Sequence, residues 1–383
     1  FLRRRLELAG LRVLVVDVGT GGPPGTAADV SREEVAVAGG VDLGQLTDRG
    51  VAVTAMCRAA PVVLQRLHDE GRCQGVLAAG GSGNTAIATA AMRALPVGLP
   101  KVMVSTMASG DTSEYVGASD IVMAPAVTDV AGLNSVSARV LANAAAALAG
   151  MVTAPPIDLG THRPVVAATM FGVTTPAVGA ARAELERRGY EVLVFHATGT
   201  GGRAMEGLVD AGLVAGVLDL TITELADDLV GGVLSAGPRR LEAAGRAGIP
   251  QVVSLGALDM VNFGARDTVP PAFADRTLYV HNPSVTLMRT TPEECAELGR
   301  RVAAKLSAAT GPVALFVPLR GISAIAGAGG PFFDPAADQA LLAAVRSGLA
   351  AQVELHEVDA HINDPAFAEA MAARLDDFLG GSA

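Results

Sequence analysis

The chain has 383 residues, of which 50% are hydrophobic and only 3% aromatic, and its formal net charge is −10. This length favours two domains, because one hydrophobic core seldom grows beyond roughly 250–300 residues. The acidic balance argues against nucleic acid as a partner, since phosphate backbones are bound by clustered Lys and Arg, and such a run occurs only at Arg3–Arg5.

The cysteines and the most apolar segment indicate a cytoplasmic protein. Cys57, Cys73 and Cys295 are too widely spaced for a disulfide framework or a zinc site, which favours a reducing compartment. The segment 140–152 is shorter than the ~20 residues that cross a bilayer and contains Asn143, so it predicts a buried helix. We therefore expect no membrane span and no metal site held by protein side chains alone.

The first half of the chain alternates between helical and strand patterns. Residues 1–10 predict a helix that ends at Gly10, and 11–19 predict a strand. Because an α/β domain normally begins with a strand, we expect a leading strand and its loop ahead of Phe1. Further strands are predicted at 75–79, 101–105 and 120–123, and further helices at about 59–70, 84–95 and 129–150.

A proline-rich linker at 152–164 separates two predicted domains, 1–155 and 163–383. Strands are predicted after it at 164–169, 191–196, 215–220, 250–255, 277–281, 312–317 and 352–357. Helices are predicted near 176–188, 202–211, 238–247, 292–309, 336–349 and 365–379. This alternation indicates an α/β fold with two Rossmann-like, doubly wound parallel sheets.

A turn of small residues joins the predicted strand at 75–79 to the helix that follows it. The free N–H groups and the dipole of a helix N-terminus attract phosphate, and glycine lets the ligand approach the backbone. The predicted ligand contacts are Gly80, Gly81, Ser82, Gly83, Asn84 and Thr85. No lysine and no third glycine complete a nucleotide fingerprint, so an ordinary packing turn remains an alternative.

Neighbouring strand ends add hydroxyl and carboxylate groups, because ligands of a parallel sheet lie beyond the carboxyl ends of its strands. The added candidates are Asp17, Gly19, Thr20, Ser105, Thr106, Ser109, Gly110 and Asp111. Asp17 and Asp111 could bind ribose or Mg²⁺, or could only form a turn or cap a helix. Lys101 precedes its strand, and we expect it to be a surface charge.

The second half has its own set of strand-end loops, which predict a pocket for a small anionic ligand. The candidate ligand contacts are Phe171, Gly172, Thr174, Thr198, Gly199, Gly201, Gly202 and Asn262. His196 and His281 could exchange protons near neutral pH, with Glu224 or Asp259 orienting them. Each histidine could equally bond only to loop backbone.

Four blocks of the first half carry a family resemblance: GGSGNTAIATAAMRALPVGLPKVMVSTMASGD (80–111), YVGASDIVM (115–123), DVAGLNSVSARVLANAAAALAGM (129–151), and VVDVGTGGPP (15–24) with ADVSREEVA (28–36). Later segments, such as TITELADDLVGGVLSAGPRRLEAAGRAGIPQVVSLGALDMVNFG (221–264), resemble the second domain of the same family. In these segments the chain resembles the Tm-type ATP-binding family. The resemblance implies two Rossmann-like domains, ATP in the first domain and a homodimer. Members usually begin with a strand and a Thr-Asp-Thr-Lys-like loop, and this sequence starts after that point.

These observations predict a cytoplasmic protein that binds ATP with Mg²⁺ and has a second, anionic ligand in the C-terminal domain or the cleft between domains. The expected reaction class is ATP-dependent activation of a carboxylate. One alternative is a non-catalytic, ATP-regulated module that acts through a protein partner, which the missing lysine favours. Another is lyase or isomerase chemistry in the C-terminal domain, with His196 and His281 essential.

Overall fold

The computed structural model describes residues 1–22, 25–157 and 163–381. It divides into two compact units, Phe1–Asp158 and Leu159–Ala383. Each unit has a parallel sheet flanked by helices, so the predicted fold class of two Rossmann-like α/β domains is confirmed. Within the predicted linker, residues 158–162 lie outside the described residues.

The N-terminal unit is built on a three-stranded parallel sheet in the order β1-β2-β3. Its strands are β1 Val76–Gly80, β2 Lys101–Ser105 and β3 Val122–Pro125. Its helices are α1 Leu2–Leu8, α2 Arg32–Ala38, α3 Arg49–Asp69, α4 Ser82–Arg93, α5 Ser113–Val116 and α6 Ser135–Thr153. The central strand β2 is buried along its whole length, as expected of a sheet covered on both faces.

The predicted strand at 11–19 is wrong. The segment makes a single parallel bridge, Val16 to Val30, and joins no sheet among the described residues. Most of its apolar residues are partly buried against neighbouring helices, but no described strand lies beside it to form a ladder. Hydrophobicity indicated burial here, whereas strand assignment requires a hydrogen-bonding partner.

Helix α3 begins ten residues before the predicted start at 59. Asp48 caps it, because its carboxylate accepts the N–H of Val51 at 2.8 Å. The apolar residues Ala52 and Met56 continue the buried face that runs on through Ala59. Arg49 is therefore the first residue of a long helix.

The C-terminal unit has a six-stranded parallel sheet in the order β12-β11-β7-β6-β4-β5. Its strands are β4 Val165–Met170, β5 Glu191–His196, β6 Gly216–Thr221, β7 Gln251–Gly256, β11 Val313–Pro318 and β12 Glu354–Val358. Its helices are α7 Thr175–Arg187, α8 Thr200–Asp210, α9 Glu224–Val230, α10 Ala243–Ala247, α11 Pro292–Ser307, α12 Pro335–Gly348 and α13 Pro365–Leu379. Two large apolar cores cover this sheet.

The segment predicted as a parallel strand at 277–281 belongs instead to a separate antiparallel sheet. That sheet has the order β8-β10-β9, with β8 Met260–Phe263, β9 Leu278–Asn282 and β10 Val285–Arg289. Only two residues join β9 to β10, and a connection that short permits a hairpin but no parallel crossover. The Asn282 side chain accepts the N–H of Ser284 at 2.9 Å and stabilises this turn.

Among the described helices, α6 is long and apolar enough to cross a membrane, judged by length and composition alone. Its residues Leu141 and Leu148 lie in one core with Val102 and Val104 of β2. This is the packing of a helix that covers a sheet, which gives weak support for a soluble protein.

Candidate functional site

A cavity of about 710 Å³ opens in the N-terminal unit where β1 ends and α4 begins. It is lined by Thr20, Gly21, Leu46, Thr47, Asp48, Arg49, Ala52, Ala79, Gly80, Gly81, Ser82, Gly83, Asn84, Asp129, Val130 and Ala131. The predicted turn residues 80–84 and Thr20 therefore come together in one cavity. The lining also includes the first turn of α3 and the segment before α6.

The glycine turn leaves the start of α4 open to a ligand. Gly81 is the N-cap residue, and no side chain caps the helix. A Cβ built on Gly80 would lie only 2.4 Å from Cβ of Asn84, so the fold itself requires glycine there. A Cβ on Gly83 would meet nothing closer than Cγ2 of Val53, at 3.6 Å, so this glycine keeps space free rather than avoiding a clash.

Arg49 supplies the cation that sequence reasoning did not find near the turn. It lines the cavity, is exposed, and has no hydrogen bond or ion pair with any described residue. An unpaired guanidinium beside an uncapped helix N-terminus forms an electropositive site for an anion. In the sequence, an aspartate suited to an N-cap, Asp48, precedes apolar residues at helical spacing from Ala52 onwards. This pattern could have shown that a helix begins at Arg49.

Thr85 and Ser105 lie behind the turn rather than in the cavity. Both are buried, and their hydroxyl oxygens are 2.6 Å apart. The Thr85 hydroxyl also donates to the carbonyl of Gly81 at 2.9 Å. These two residues fix α4 to the end of β2 and so position the turn, while the neighbouring Thr106 is exposed.

Asp17 shapes the loop that carries Thr20. Its carboxylate forms an ion pair with Arg32 at 2.7 Å and accepts the N–H of Gly19 at 2.8 Å. Arg32 in turn donates to the carbonyls of Gly21 and Gly22. Asp17 and Gly19 thus hold the loop, and only Thr20 and Gly21 of this segment line the cavity.

Ser109, Gly110 and Asp111 do not line this cavity. All three are exposed. Asp111 accepts the N–H of Ser113 at 2.9 Å, and the hydrogen bonds from the Ser113 backbone and side chain lower the pKa of Asp111. In this arrangement Asp111 forms a turn, which was the alternative interpretation of this carboxylate.

Lys101 is buried, so its expected place on the surface is wrong. Its ammonium group lies 2.6 Å from a carboxylate oxygen of Asp120 and 2.6 Å from the carbonyl of Pro96. Lys101 begins the central strand of the sheet, and these two partners compensate the burial of its charge.

In the C-terminal unit, the chain's own Glu224 occupies the turn that was predicted to bind a ligand anion. Its Oε1 accepts the N–H of Gly199 at 2.6 Å and that of Gly202 at 3.1 Å. A Cβ on Gly202 would lie 2.2 Å from Oε2 of Glu224, and one on Gly201 would lie 1.9 Å from the carbonyl oxygen of His196. These glycines permit close internal packing.

Arg240 neutralises Glu224 inside a buried ion cluster. Its guanidinium lies 2.6 Å from Glu224, 2.7 Å from Asp219 and 3.6 Å from Glu206. The side chains of Arg240, Asp219 and Glu224 are at most 1% exposed. Glu224 therefore holds α8 and its turn together and is fully engaged without the predicted histidines.

His196 and His281 lie beside the same loop at the end of β4. The His196 ring is 5.5 Å from that of Phe171, and Nε2 of His281 is 3.6 Å from the place of a Cβ on Gly172. Both histidines are exposed. The loop itself is anchored by Thr174, whose hydroxyl is 2.7 Å from that of Thr221. Two ionisable rings thus come near one loop.

The remaining candidates of this unit lie in other contacts. Thr198 is half-buried, and its hydroxyl donates to the carbonyl of His196 at 3.2 Å. Asp259 is buried and accepts a hydrogen bond from the Ser323 hydroxyl at 2.7 Å. Burial raises the pKa of Asp259 to about 6.

Asn262 is buried and paired with Asp227. The Asp227 carboxylate accepts from the Asn262 side chain at 2.6 Å and from the backbone N–H groups of Asn262 and Leu234 at 3.0 and 3.3 Å. Burial raises the pKa of Asp227 to about 7, although these three hydrogen bonds act to lower that pKa. The pair joins α9 to β8 in the interior of the unit.

This raised pKa predicts that the C-terminal unit becomes less stable as the pH rises from about 4 to about 7. Over that range the folded state binds more protons than the unfolded state, in which a carboxyl of this type titrates near 3.9. The contribution of protonated Asp227 is present in full below pH ~4 and is lost as the pH passes its folded pKa of about 7. In Asp227→Asn, the free energy of unfolding should change across this pH range by less than in the wild type, the difference being more than ~1 kcal/mol.

The measurement is the urea dependence of hydrogen exchange in the β6 and β7 peptides at pH 5 and pH 8, which reports this unit alone. Asp228→Asn, at the next position of α9, is the matched control. Equal pH dependence in the wild type and the Asp227 variant would contradict the prediction.

Comparison with known proteins assigns both units to one family. The family model described as the N-terminal domain of an uncharacterised protein family (UPF0261) matches residues 1–156. The model of the C-terminal domain of the same family matches residues 163–379.

Individual relatives agree. A UPF0261 protein of Clostridium tetani is 50% identical over 379 residues, which cover 98% of this chain and 94% of the relative. A UPF0261 protein of Rhizobium meliloti is 50% identical over 378 residues, covering 97% of this chain and 94% of the relative. The ToMV resistance protein Tm-1(GCR237) of Solanum lycopersicum is 44% identical over 345 residues, covering 88% of this chain but only 45% of the tomato protein. The resemblance predicted from the sequence is confirmed.

Proposed function

The chain belongs to the uncharacterised protein family UPF0261, and we propose that its N-terminal unit binds ATP, with Mg²⁺, in the cavity beside the 80–84 turn. One observation carries the proposal: an uncapped helix N-terminus and an unpaired arginine line the same cavity. Its volume of about 710 Å³ lies within the ~300–1,000 Å³ typical of ligand pockets. The resemblance stated from the sequence implies ATP in the first domain, which points the same way.

In this proposal the backbone N–H groups of the 80–84 turn bind phosphate oxygens, and Arg49 binds the terminal phosphates. Asp48 and Asp129 are the carboxylates that line the cavity and fit Mg²⁺, which usually takes one or two carboxylates together with substrate phosphates. Sites that cleave nucleoside triphosphates place a fixed cation against the β and γ phosphates. Arg49 is the cation in the cavity lining that is available for that role, and its presence supports ATP consumption, in an activation of a carboxylate, over a purely regulatory role for ATP.

Arg49→Gln should weaken ATP binding by roughly 10- to 100-fold, because a hydrogen bond to a charged group contributes about 1.5–3 kcal/mol. AMP, which lacks the terminal phosphates, should lose much less affinity. Calorimetric titration of both nucleotides with Mg²⁺ measures the two effects.

The matched control is Arg58→Gln, an exposed arginine on the same helix that does not line the cavity. It removes the same charge from α3 and should leave ATP affinity within about twofold of the wild type. Equal loss in both variants would mean that net charge, and not a contact of Arg49, governs binding.

Acid–base chemistry in the C-terminal unit is a second candidate, favoured by the placement of His196 and His281 beside the 171–172 loop. A small anionic ligand there should shift the ring resonances of both histidines when carboxylates are titrated without ATP. Unshifted resonances across a panel of mono- and dicarboxylates would remove this candidate.

We also propose that the protein is cytoplasmic, since its three cysteines are free. We expect it to form a homodimer, and analytical ultracentrifugation would test this.

A further inference from the structure

The loop that joins β3 to α6 contains a strained turn close to the proposed nucleotide cavity. Val127 has a φ of +64°, and the N–H of Thr128 donates to the carbonyl of Ala126 at 2.7 Å. A hydrogen bond across three residues with a positive φ at the central one is a γ-turn of the rare and strained kind. The β-branched side chain of Val127 makes this φ still less favourable.

Val127 differs from the other strained positions of the described chain. Leu241 and Ala257 also have a positive φ, but both are buried, so the core around them holds the backbone in place. The side chain of Val127 is 75% exposed and gains little from packing. Its strain is therefore maintained by the chain on either side of it.

The chain is anchored before the turn and loosely held after it. Ala126 is buried, and its N–H donates to the carbonyl of Ser105, at the end of β2, at 3.0 Å. In the described part of the chain, the only hydrogen bond of residues 129–133 is internal, from the N–H of Val130 to the carboxylate of Asp129. The loop after the turn can therefore move without breaking hydrogen bonds to other segments.

Thr128 adds a second unfavourable feature to the same turn. Its hydroxyl oxygen is buried and has no hydrogen-bond partner among the described residues, which costs free energy. Residues 129–131 follow directly and line the cavity of about 710 Å³. Strained backbone of this kind is found at ligand clamps and switch regions. Here it lies directly before residues that face the proposed ligand.

We propose that Val127 is a ligand-operated switch of the nucleotide site: binding of ATP with Mg²⁺ brings its φ into the ordinary negative range and releases the strain. This inference rests on the proposed function of the cavity. Asp129, a carboxylate proposed for Mg²⁺, follows in the same loop and moves with the turn. Because Val127 itself does not line the cavity, it is a positioning residue that acts through Asp129.

The strain then contributes to affinity, because a ligand favours the conformation that it binds more tightly. Glycine adopts a positive φ without strain, so in Val127→Gly the ligand-free protein has none to release. Val127→Gly should therefore weaken ATP affinity roughly fivefold in calorimetric titration with Mg²⁺.

The matched control is Leu133→Gly. Leu133 is exposed, lies in the same loop, has no positive φ and does not line the cavity. The control adds the flexibility of glycine without relieving strain, and it should stay within about twofold of the wild-type affinity. Val127→Ile keeps the β-branched side chain and should also retain that affinity within about twofold.

A second measurement reports the turn itself. In protein labelled with ¹³C-valine, the Cα and Cβ resonances of Val127 are assigned by their loss in Val127→Ile. These resonances depend on the backbone conformation, and saturating ATP with Mg²⁺ should shift them to the values of a valine with a negative φ.

The outcomes separate this inference from the proposed function. Wild-type affinity in Val127→Gly, equal weakening in Val127→Gly and Leu133→Gly, or Val127 resonances that bound ATP does not shift would each overturn the role of Val127 and leave the nucleotide site standing. Absence of ATP binding to the wild-type protein at millimolar ATP would overturn the proposed function and this inference with it.

Discussion

Gly83→Val is expected to weaken ATP affinity more than about 100-fold and to leave the N-terminal unit folded. Gly83 lies in the first turn of α4 and lines the 710 Å³ cavity. Its Cβ position is 3.6 Å from the nearest neighbouring atom, Cγ2 of Val53, which is an ordinary contact distance. The two further methyl groups of valine then extend into the space proposed for the phosphates. Calorimetric titration with ATP and Mg²⁺ measures the loss.

Gly150→Val is the control for the change in helix stability when a β-branched residue replaces glycine. Gly150 lies in α6 of the same unit, outside the cavity, and a Cβ there would meet no atom within 4 Å. This variant should bind ATP like the wild type. Unchanged affinity in Gly83→Val would exclude the 80–84 turn from the nucleotide site.

Arg240→Met should cause the largest loss of stability in the C-terminal unit, about 3–5 kcal/mol, because it leaves buried carboxylates without their counter-charge. Arg240 is the cation shared by Asp219, Glu224 and Glu206. Glu224 in turn binds the N–H groups of Gly199 and Gly202, so the start of α8 should open first. Hydrogen exchange in urea, followed in the peptides of β6 and α8, measures both effects.

Arg246→Met is its matched control. Arg246 lies in the neighbouring helix α10, is 43% exposed and pairs with Asp210 at 2.9 Å. An exposed ion pair of this kind contributes about 0–1 kcal/mol. Equal destabilisation by the two substitutions would show that the burial of the Arg240 cluster does not determine its energetic effect.

The sequence predicted the alternation of strands and helices because buried parallel strands are near-continuous apolar runs, as in β4 and β11. It did not predict which runs find a partner. Residues 11–19 have the same composition as a strand, yet they lack a ladder because pairing depends on a neighbour elsewhere in the chain. β9 is antiparallel because its connection to β10 is short.

The candidate sites show the same limit. Local sequence identified the 80–84 turn, but Arg49 precedes it by some thirty residues, and only the packing of α3 beside α4 brings the two together. The 199–202 turn has the same small residues, and its anion is Glu224, some 25 residues further along the chain. A glycine turn therefore predicts a site for an anion, while the fold decides whether that anion is a ligand or a side chain.

The most direct test of the nucleotide site is calorimetric titration of the intact chain with ATP and Mg²⁺, carried out in parallel on Arg49→Gln. We expect one ATP to bind per chain, with an affinity that weakens as salt is raised and is roughly 10- to 100-fold lower in the variant. Absence of binding in the wild type at millimolar ATP, or equal affinity in the two proteins, would contradict it.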